Sequence, residues 1–241
     1  MNNEIIFPVD AWYPIEISLR IRAGVITQAF LHGQELAVWR DSAGQVMVWE
    51  NRCPHRSVRL TLGRIVDDQL ACGYHGWRYG NDGACRYIPA HPCAQPPKNA
   101  CVKTYPVVEA YGVIWASVGT PSGEVAPAGG TFCRSYVRSC DMADIVSRAT
   151  KAGFQSRPAG VLRANGTDDV PGCTLLAAPM QGDQCVFHLW VDGTPSVADL
   201  RTLNHRVKAL LDVARPVADA APAAVLSGAY PMSTRENHEI R

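Results

Sequence analysis

The sequence predicts an α+β chain in two parts, a β-rich first half over residues 1–118 and a mixed strand-and-helix second half over residues 132–241. Three observations predict it. Short β-branched and aromatic runs recur through the first half, with turn residues between them. A stretch rich in Gly, Pro and Ser interrupts the chain over residues 119–131. Beyond it lies one long segment with an apolar residue at every third or fourth position, the period of a helix with one buried face.

Taken in order, strands are expected at residues 26–30, 36–39, 46–49, 70–72, 107–108 and 113–118. The breaks Asp41-Ser-Ala-Gly44 and Gly80-Asn-Asp-Gly83 have turn chemistry, because Asn, Asp and Gly tolerate positive φ. Short strands at this spacing suggest a small antiparallel barrel or sandwich. Residues 119–131 read as a linker. Strands follow at 132–140, 173–178 and 185–191, with a short helix over 142–151. The best-marked helix covers 197–213, where Val197, Leu200, Leu203, Val207, Leu210 and Leu211 share a face. Ser196 stands at its N-cap with Asp199 three residues on, and Pro216 lies beyond its end.

Twenty-three basic residues against 22 acidic give a net charge of +1. That balance argues against a dedicated nucleic-acid binder. No run of about 18 apolar residues occurs, so no membrane-spanning helix is expected. Residues 1–10 include Glu4, Pro8 and Asp10 and have neither a basic start nor an apolar stretch. No export signal is therefore expected, and the reading is a cytoplasmic protein. Nine cysteines in a reducing compartment point to metal binding rather than to disulfides. Only two have a histidine at ligand spacing. The others, Cys85, Cys93, Cys101, Cys133, Cys140, Cys173 and Cys185, read as small buried apolar residues.

The chemistry is concentrated in Cys53-Pro-His55-Arg56 and Cys72-Gly-Tyr-His75-Gly-Trp77, and sixteen residues separate His55 from Cys72. Each half offers one sulfur and one nitrogen from a tight loop. A [2Fe–2S] centre with two thiolates on one iron and two imidazoles on the other needs this inventory. Cys53 and Cys72 would hold one iron, His55 and His75 the other. Pro54 would fix a turn, while Gly73 and Gly76 would let the backbone approach the sulfides. Structural zinc is the competing reading, since it also takes two Cys and two His. Zinc-finger spacing, however, pairs Cys with Cys and His with His. Trp77 is expected to pack over the loops, and His32 and His91 to be turn or loop residues.

Residues 5–118 resemble the Rieske domain of ring-hydroxylating and demethylating oxygenases. Trp12-Tyr13, the two cluster motifs, Leu62-Gly63-Arg64, Gly83 and Ile88-Pro89-Ala90 carry the resemblance. Cytochrome-complex Rieske proteins add a disulfide between the cluster loops. Val58 and Tyr74 stand at those positions, which favours the low-potential oxygenase or ferredoxin type. The second half resembles part of the helix-grip catalytic domain of vanillate-demethylase-like oxygenases, shortened, in the strands near 132, 175–179 and 186–191 and in the helix leading into 214–218. Complete members of the family are longer. They also hold a mononuclear iron on two His and one carboxylate.

The histidines beyond residue 120 are His188, His205 and His238, and none pair at that spacing. Mononuclear Fe(II) is therefore not expected in this chain. His188 with Asp192 or Asp199 is the remaining ligand candidate, set against a core histidine on a strand; His205 reads as solvated. The resemblance then implies an electron-transfer subunit of a multicomponent, hetero-oligomeric oxygenase. It would take electrons from an NAD(P)H-dependent reductase or a ferredoxin and pass them to the mononuclear iron of a catalytic partner subunit in a trimeric or hetero-hexameric assembly. The alternatives are a complete small monooxygenase or demethylase with an atypical iron site, and a degenerate subunit that only stabilises the assembly.

Overall fold

The structure, a computed structural model, describes residues 7–167 and 170–212. The segment 214–218, His238 and the last residue of the expected second helix, Val213, lie outside the described residues. The first half contains β1 (Tyr13–Ile17), β2 (Ile26–Leu31), β3 (Gln34–Arg40), β4 (Val46–Glu50), β5 (Arg64–Val66), β6 (Gln69–Ala71), β7 (Arg78–Tyr79), β8 (Cys85–Tyr87), β9 (Val107–Ala110) and β10 (Val113–Ala116). They form three antiparallel sheets in the orders β1-β10-β9, β2-β3-β4 and β5-β6-β7-β8. The second half contains β11 (Thr131–Ser139), α1 (Met142–Lys151), β12 (Gln155–Arg157), β13 (Val161–Ala164), β14 (Cys173–Pro179), β15 (Gln184–Val191) and α2 (Val197–Leu211). Its five strands pair antiparallel in the order β11-β15-β14-β13-β12. The chain is thus α+β, with an antiparallel all-β first half.

The sheet β2-β3-β4 is the wall that positions everything else. Successive side chains of a strand point to opposite faces. In β3, Leu36 and Val38 enter one core, whereas Ala37 and Trp39 enter another. In β4, Val46 and Val48 join the first core, and Met47 and Trp49 the second. Both strands therefore read as unbroken apolar runs, because both of their faces are covered. The second core also contains Cys53, Leu60, Leu70, Cys72 and Tyr79, and it supports the two motif loops. The first core runs on into the second half through Leu175, Phe187 and Leu189.

Two contacts close this seam. The tip of the β2–β3 hairpin donates from His32 N to Pro179 O at 3.0 Å and from Gly33 N to Met180 O at 2.6 Å. His32 sits there with φ 47°, in the expected turn. His188 on β15 reaches Pro14 O on β1 at 3.2 Å.

The stretch expected to be a linker is packed down. Ala128 is buried with Val113, Trp115, Val161, Leu176 and Trp190, and Val125 and Ala126 lean on the same cluster. The reason lies in its own sequence, whose apolar residues find a hydrophobic trough where the halves meet. α2 begins as expected, with the Ser196 side chain accepting from Asp199 N and the Asp199 carboxylate accepting from the Ser196 backbone. Leu203, Val207, Leu210 and Leu211 form its buried face. It ends at Leu211, short of the expected 213.

Candidate metal centre

The two motif loops adjoin neighbouring strands of one small sheet, the first leading into β5 and the second leaving β6. The first joins β4 to β5 and the second joins β6 to β7. β6 pairs with both β5 and β7, so Arg64 lies opposite Ala71 and Ala71 opposite Arg78. That register sets the loops side by side. The loops repeat one backbone design. Cys53 N donates to Val58 O at 2.9 Å, and Ser57 N donates to Cys53 O at 2.8 Å. In the second loop Cys72 N donates to Trp77 O at 2.9 Å, and Gly76 N to Cys72 O at 3.0 Å. The fourth residue after each cysteine is left-handed, Ser57 at φ 56° and Gly76 at φ 70°. Each loop therefore turns its cysteine inward and its histidine outward in the same way.

The close approach of the loops is what the glycines permit. A Cβ on Gly73 would stand 2.4 Å from Leu62 O, and one on Gly63 would stand 2.2 Å from Ala71 O. A methyl group cannot fit at either place without moving backbone. Gly73 thus lets one loop touch the other, a demand on this position beside the expected approach of backbone to a sulfide. Gly76 supplies the positive φ, and Pro89 Cγ from the Ile88-Pro89-Ala90 segment lies 3.0 Å from where its Cβ would be.

The four candidate ligands fall into two pairs. Cys53 and Cys72 are 2% and 3% exposed, at the floor of the site. Burial raises the Cys72 thiol, the neighbouring Cys53 adds to that, and the backbone N–H groups of Tyr74 and His75 oppose it by donating to the sulfur. The hydroxyl of Tyr79 lies 3.1 Å from Cys53 Sγ. Above this floor, His55 and His75 face each other with Nδ1 atoms 3.1 Å apart. Two nitrogens bound to one tetrahedral ion at about 2.0–2.1 Å would stand roughly 3.3 Å apart, so the rings are placed as partners on one metal. Desolvation, His75 and Arg56 all lower the His55 pKa, a shift toward the neutral ring that a metal ligand needs. Trp77 stacks on His55 with centroids 4.3 Å apart and planes 7° from parallel. Tyr74 lies tilted against His75 at 3.8 Å.

Among the described residues, no three His, Cys, Asp or Glu side chains gather as a single metal ion would require. The donors form a sulfur pair and a nitrogen pair, and this division weighs against one zinc on all four. It suits a binuclear cluster, each pair taking one iron. The donor set therefore fits a [2Fe–2S] group of the Rieske kind.

Tyr79 escaped the reading of the sequence. Its place two residues beyond Trp77, on the strand that pairs with Leu70, is the signal that could have revealed it. Val58 is partly buried in the second core and Tyr74 is exposed. All nine cysteines are free thiols. Cys85, Cys140, Cys173 and Cys185 are buried as expected and Cys133 is half-buried, but Cys93 and Cys101 are exposed, because the segment between β8 and β9 runs over the surface.

His188 is 1% exposed. Its Nδ1 faces Ser135 Oγ at 2.8 Å and its Nε2 faces Pro14 O at 3.2 Å. A carbonyl only accepts, so Nε2 carries the proton and Nδ1 accepts from Ser135. Both nitrogens are engaged, and burial lowers the pKa to about 4. Neither Asp192 nor Asp199 approaches it: Asp192 holds Arg163 through two bonds, and Asp199 caps α2. His205 is exposed on α2. Outside the centre, a cavity of about 830 Å³ lies beside α2, lined by Phe154, Cys173, Leu203, Arg206 and Leu210 among others.

Residues 11–106 match the family described as the Rieske [2Fe-2S] domain. The oxidoreductase NdmD of Pseudomonas putida is 48% identical over 117 residues, which are 48% of this chain and 20% of that protein. The oxygenase component of chloroacetanilide N-alkylformylase from Rhizorhabdus wittichii is 37% identical over 116 residues, 48% of this chain and 32% of its own length. The chain thus spans about a fifth to a third of these relatives. Among solved structures, NdmA of Pseudomonas putida CBB5 superposes with a TM-score of 0.70 at 19% identity, covering 93% of this chain and 87% of that one. Dicamba monooxygenase gives 0.64 at 19% identity, covering 82% and 80%. At that identity the likeness is one of fold, and it extends through both halves.

Proposed function

We propose, from the premise that residues 11–106 are a Rieske [2Fe–2S] domain in a chain with the fold of Rieske oxygenases, that this protein is a one-electron carrier within a multicomponent oxygenase. In this reading Cys53 and Cys72 ligate one iron, and His55 and His75 the other. The observation that carries it is the arrangement of donors, two buried sulfurs below two histidines that face each other at 3.1 Å at the surface. A cluster held there supplies one-electron redox chemistry in the range of ~−150 to +300 mV.

The chain's own residues do the rest. The second core keeps water from the sulfurs. Tyr79 and the Tyr74 and His75 amides direct protons at them. Such bonds to ligand sulfur tune a cluster's potential. The exposed imidazole edges offer the shortest path to another protein. A reductase or ferredoxin would deliver the electron, and a catalytic subunit with mononuclear iron would receive it, in a trimeric or hetero-hexameric cytoplasmic assembly. No helix among the described residues is long and apolar enough to cross a membrane. The full engagement of His188 favours this reading over a complete small oxygenase with its iron on that residue.

Anaerobic purification with metal counting and electron paramagnetic resonance tests the proposal. The expected result is about two irons per chain and, after dithionite, a Rieske signal that disappears in His75→Ala. One zinc per chain, or a Rieske signal that survives the loss of His75, would overturn it. About three irons, with a high-spin mononuclear signal, would point to a complete oxygenase.

A further inference from the structure

The charge around the cluster loops is not that of the whole chain. Residues 51–66 contain Arg52, Arg56, Arg59 and Arg64 and no acidic residue, and residues 70–81 add Arg78 and again no acid. The chain as a whole carries only +1. Three of the acidic groups that flank the loops are already committed, and Glu50 stands just before the first loop. Glu35 pairs with Arg59 at 2.7 Å and Asp67 with Arg78 at 3.3 Å. Asp68 accepts from the backbone and side chain of Ser42. Arg52, Arg56 and Arg64 are exposed and, among the described residues, have no carboxylate partner.

Two of these arginines adjoin an apolar spot: Arg64 stands two residues from Leu62, and Arg56 follows His55, whose ring faces His75. Leu62 and Tyr74 are 68% and 62% exposed. The two loops that carry them abut, since Leu62 O lies 2.4 Å from where a Gly73 Cβ would stand. Tyr74 in turn lies against His75, and Arg56 directly follows His55. An exposed aromatic and an aliphatic side chain at the centre, with unpaired arginine at the rim, is the composition of a protein-binding surface. Charge of one sign around such a spot steers partners of the opposite sign and governs how fast they arrive.

We propose that this face is the docking surface for an acidic electron-carrier protein, held by Arg52, Arg56 and Arg64 around Leu62 and Tyr74, with its redox centre against the His55–His75 edge. The inference rests on the electron-carrier reading. It adds to that reading the charge of the partner and the residues that select it. Arg56 is the central contact because it adjoins a ring through which the electron would pass.

The test uses the cluster-loaded full chain and stopped-flow reduction by a reduced, acidic plant-type ferredoxin as probe. The second-order rate should fall about tenfold between low and high salt and, at low salt, about tenfold again in Arg56→Glu, with a smaller loss in Arg64→Glu. Arg56→Lys should retain most of the rate, and Arg201→Glu on α2 should leave it unchanged. Electron transfer from the reduced protein to basic cytochrome c should move the other way and become faster in Arg56→Glu. Unaltered paramagnetic resonance spectra and dithionite reduction in every variant would show that the site itself is intact. A ferredoxin rate indifferent to salt and to both charge reversals would overturn the docking surface while leaving the carrier reading in place. So would variants that lose affinity for an oligonucleotide but keep the ferredoxin rate. A chain that dithionite cannot reduce would instead overturn the carrier reading itself.

Discussion

Tyr79 shows how much one hydroxyl can govern. It is buried under the loops, 3.1 Å from Cys53 Sγ, and burial together with that sulfur holds its proton far more tightly than an ordinary phenol. With Cys53 ligating a cluster as proposed, the hydroxyl would donate to its thiolate. Reduction adds negative charge at the sulfurs, so the bond stabilises the reduced state more than the oxidised one. Its removal in Tyr79→Phe should lower the potential. A net hydrogen bond of about 1 kcal/mol corresponds to about 40 mV for one electron, measurable by redox titration of the visible spectrum. The remaining thiols sort by exposure. Cys93 and Cys101 should react with a maleimide well before Cys85, Cys140, Cys173 and Cys185, which are buried. Peptide mapping of a brief labelling reaction would check the order.

At the scale of elements, two pieces rest on contacts that can be tested singly. The paired loops need Gly73, because backbone of the other loop occupies the space a methyl group would take. Gly73→Ala should cost about 1–3 kcal/mol and reduce cluster content, read as iron per chain and denaturation midpoint. α2 depends on its capping box, and Ser196→Ala should cost about 1 kcal/mol, with the cluster spectrum unchanged. The cap was legible in the sequence because it is a local device, made within four residues. β1 and β13 were not. Tyr13–Ile17 contains Pro14 and Glu16, and Val161–Ala164 contains Arg163, so their apolar pattern is broken. Only pairing with β10 and β14 makes strands of them.

At the scale of the whole molecule, His188 joins the halves. It lies on β15 and donates to the β1 carbonyl of Pro14. Burial lowers its pKa to about 4, against about 6.5 in an unfolded chain. Between these values the unfolded state binds a proton that the folded state refuses. Stability from this group is complete above pH 6.5 and is lost as the pH falls towards 4, by roughly 3 kcal/mol in all at 1.36 kcal/mol per unit. Thermal midpoints across pH 4–7 should therefore fall more steeply in the natural protein than in His188→Gln. Equal slopes would mean that this histidine does not titrate with folding.

The sequence by itself determined the candidate ligand types, their spacing, and the N-cap of α2. All of these act within a few residues, and local chemistry suffices for them. What only the tertiary structure decided depends on which distant segments meet. It split the four donors into a buried sulfur pair and an exposed nitrogen pair. It made Gly63 and Gly73 points of contact between chain segments, turned the apparent linker into packed core through Ala128, and gave His188 a brace's role in place of a ligand's. It also engaged Glu35, Asp67 and Asp68 elsewhere, so that among the described residues Arg52, Arg56 and Arg64 have no carboxylate partner. A linear pattern states what each residue can do; the folded chain supplies the neighbours that select among those capacities.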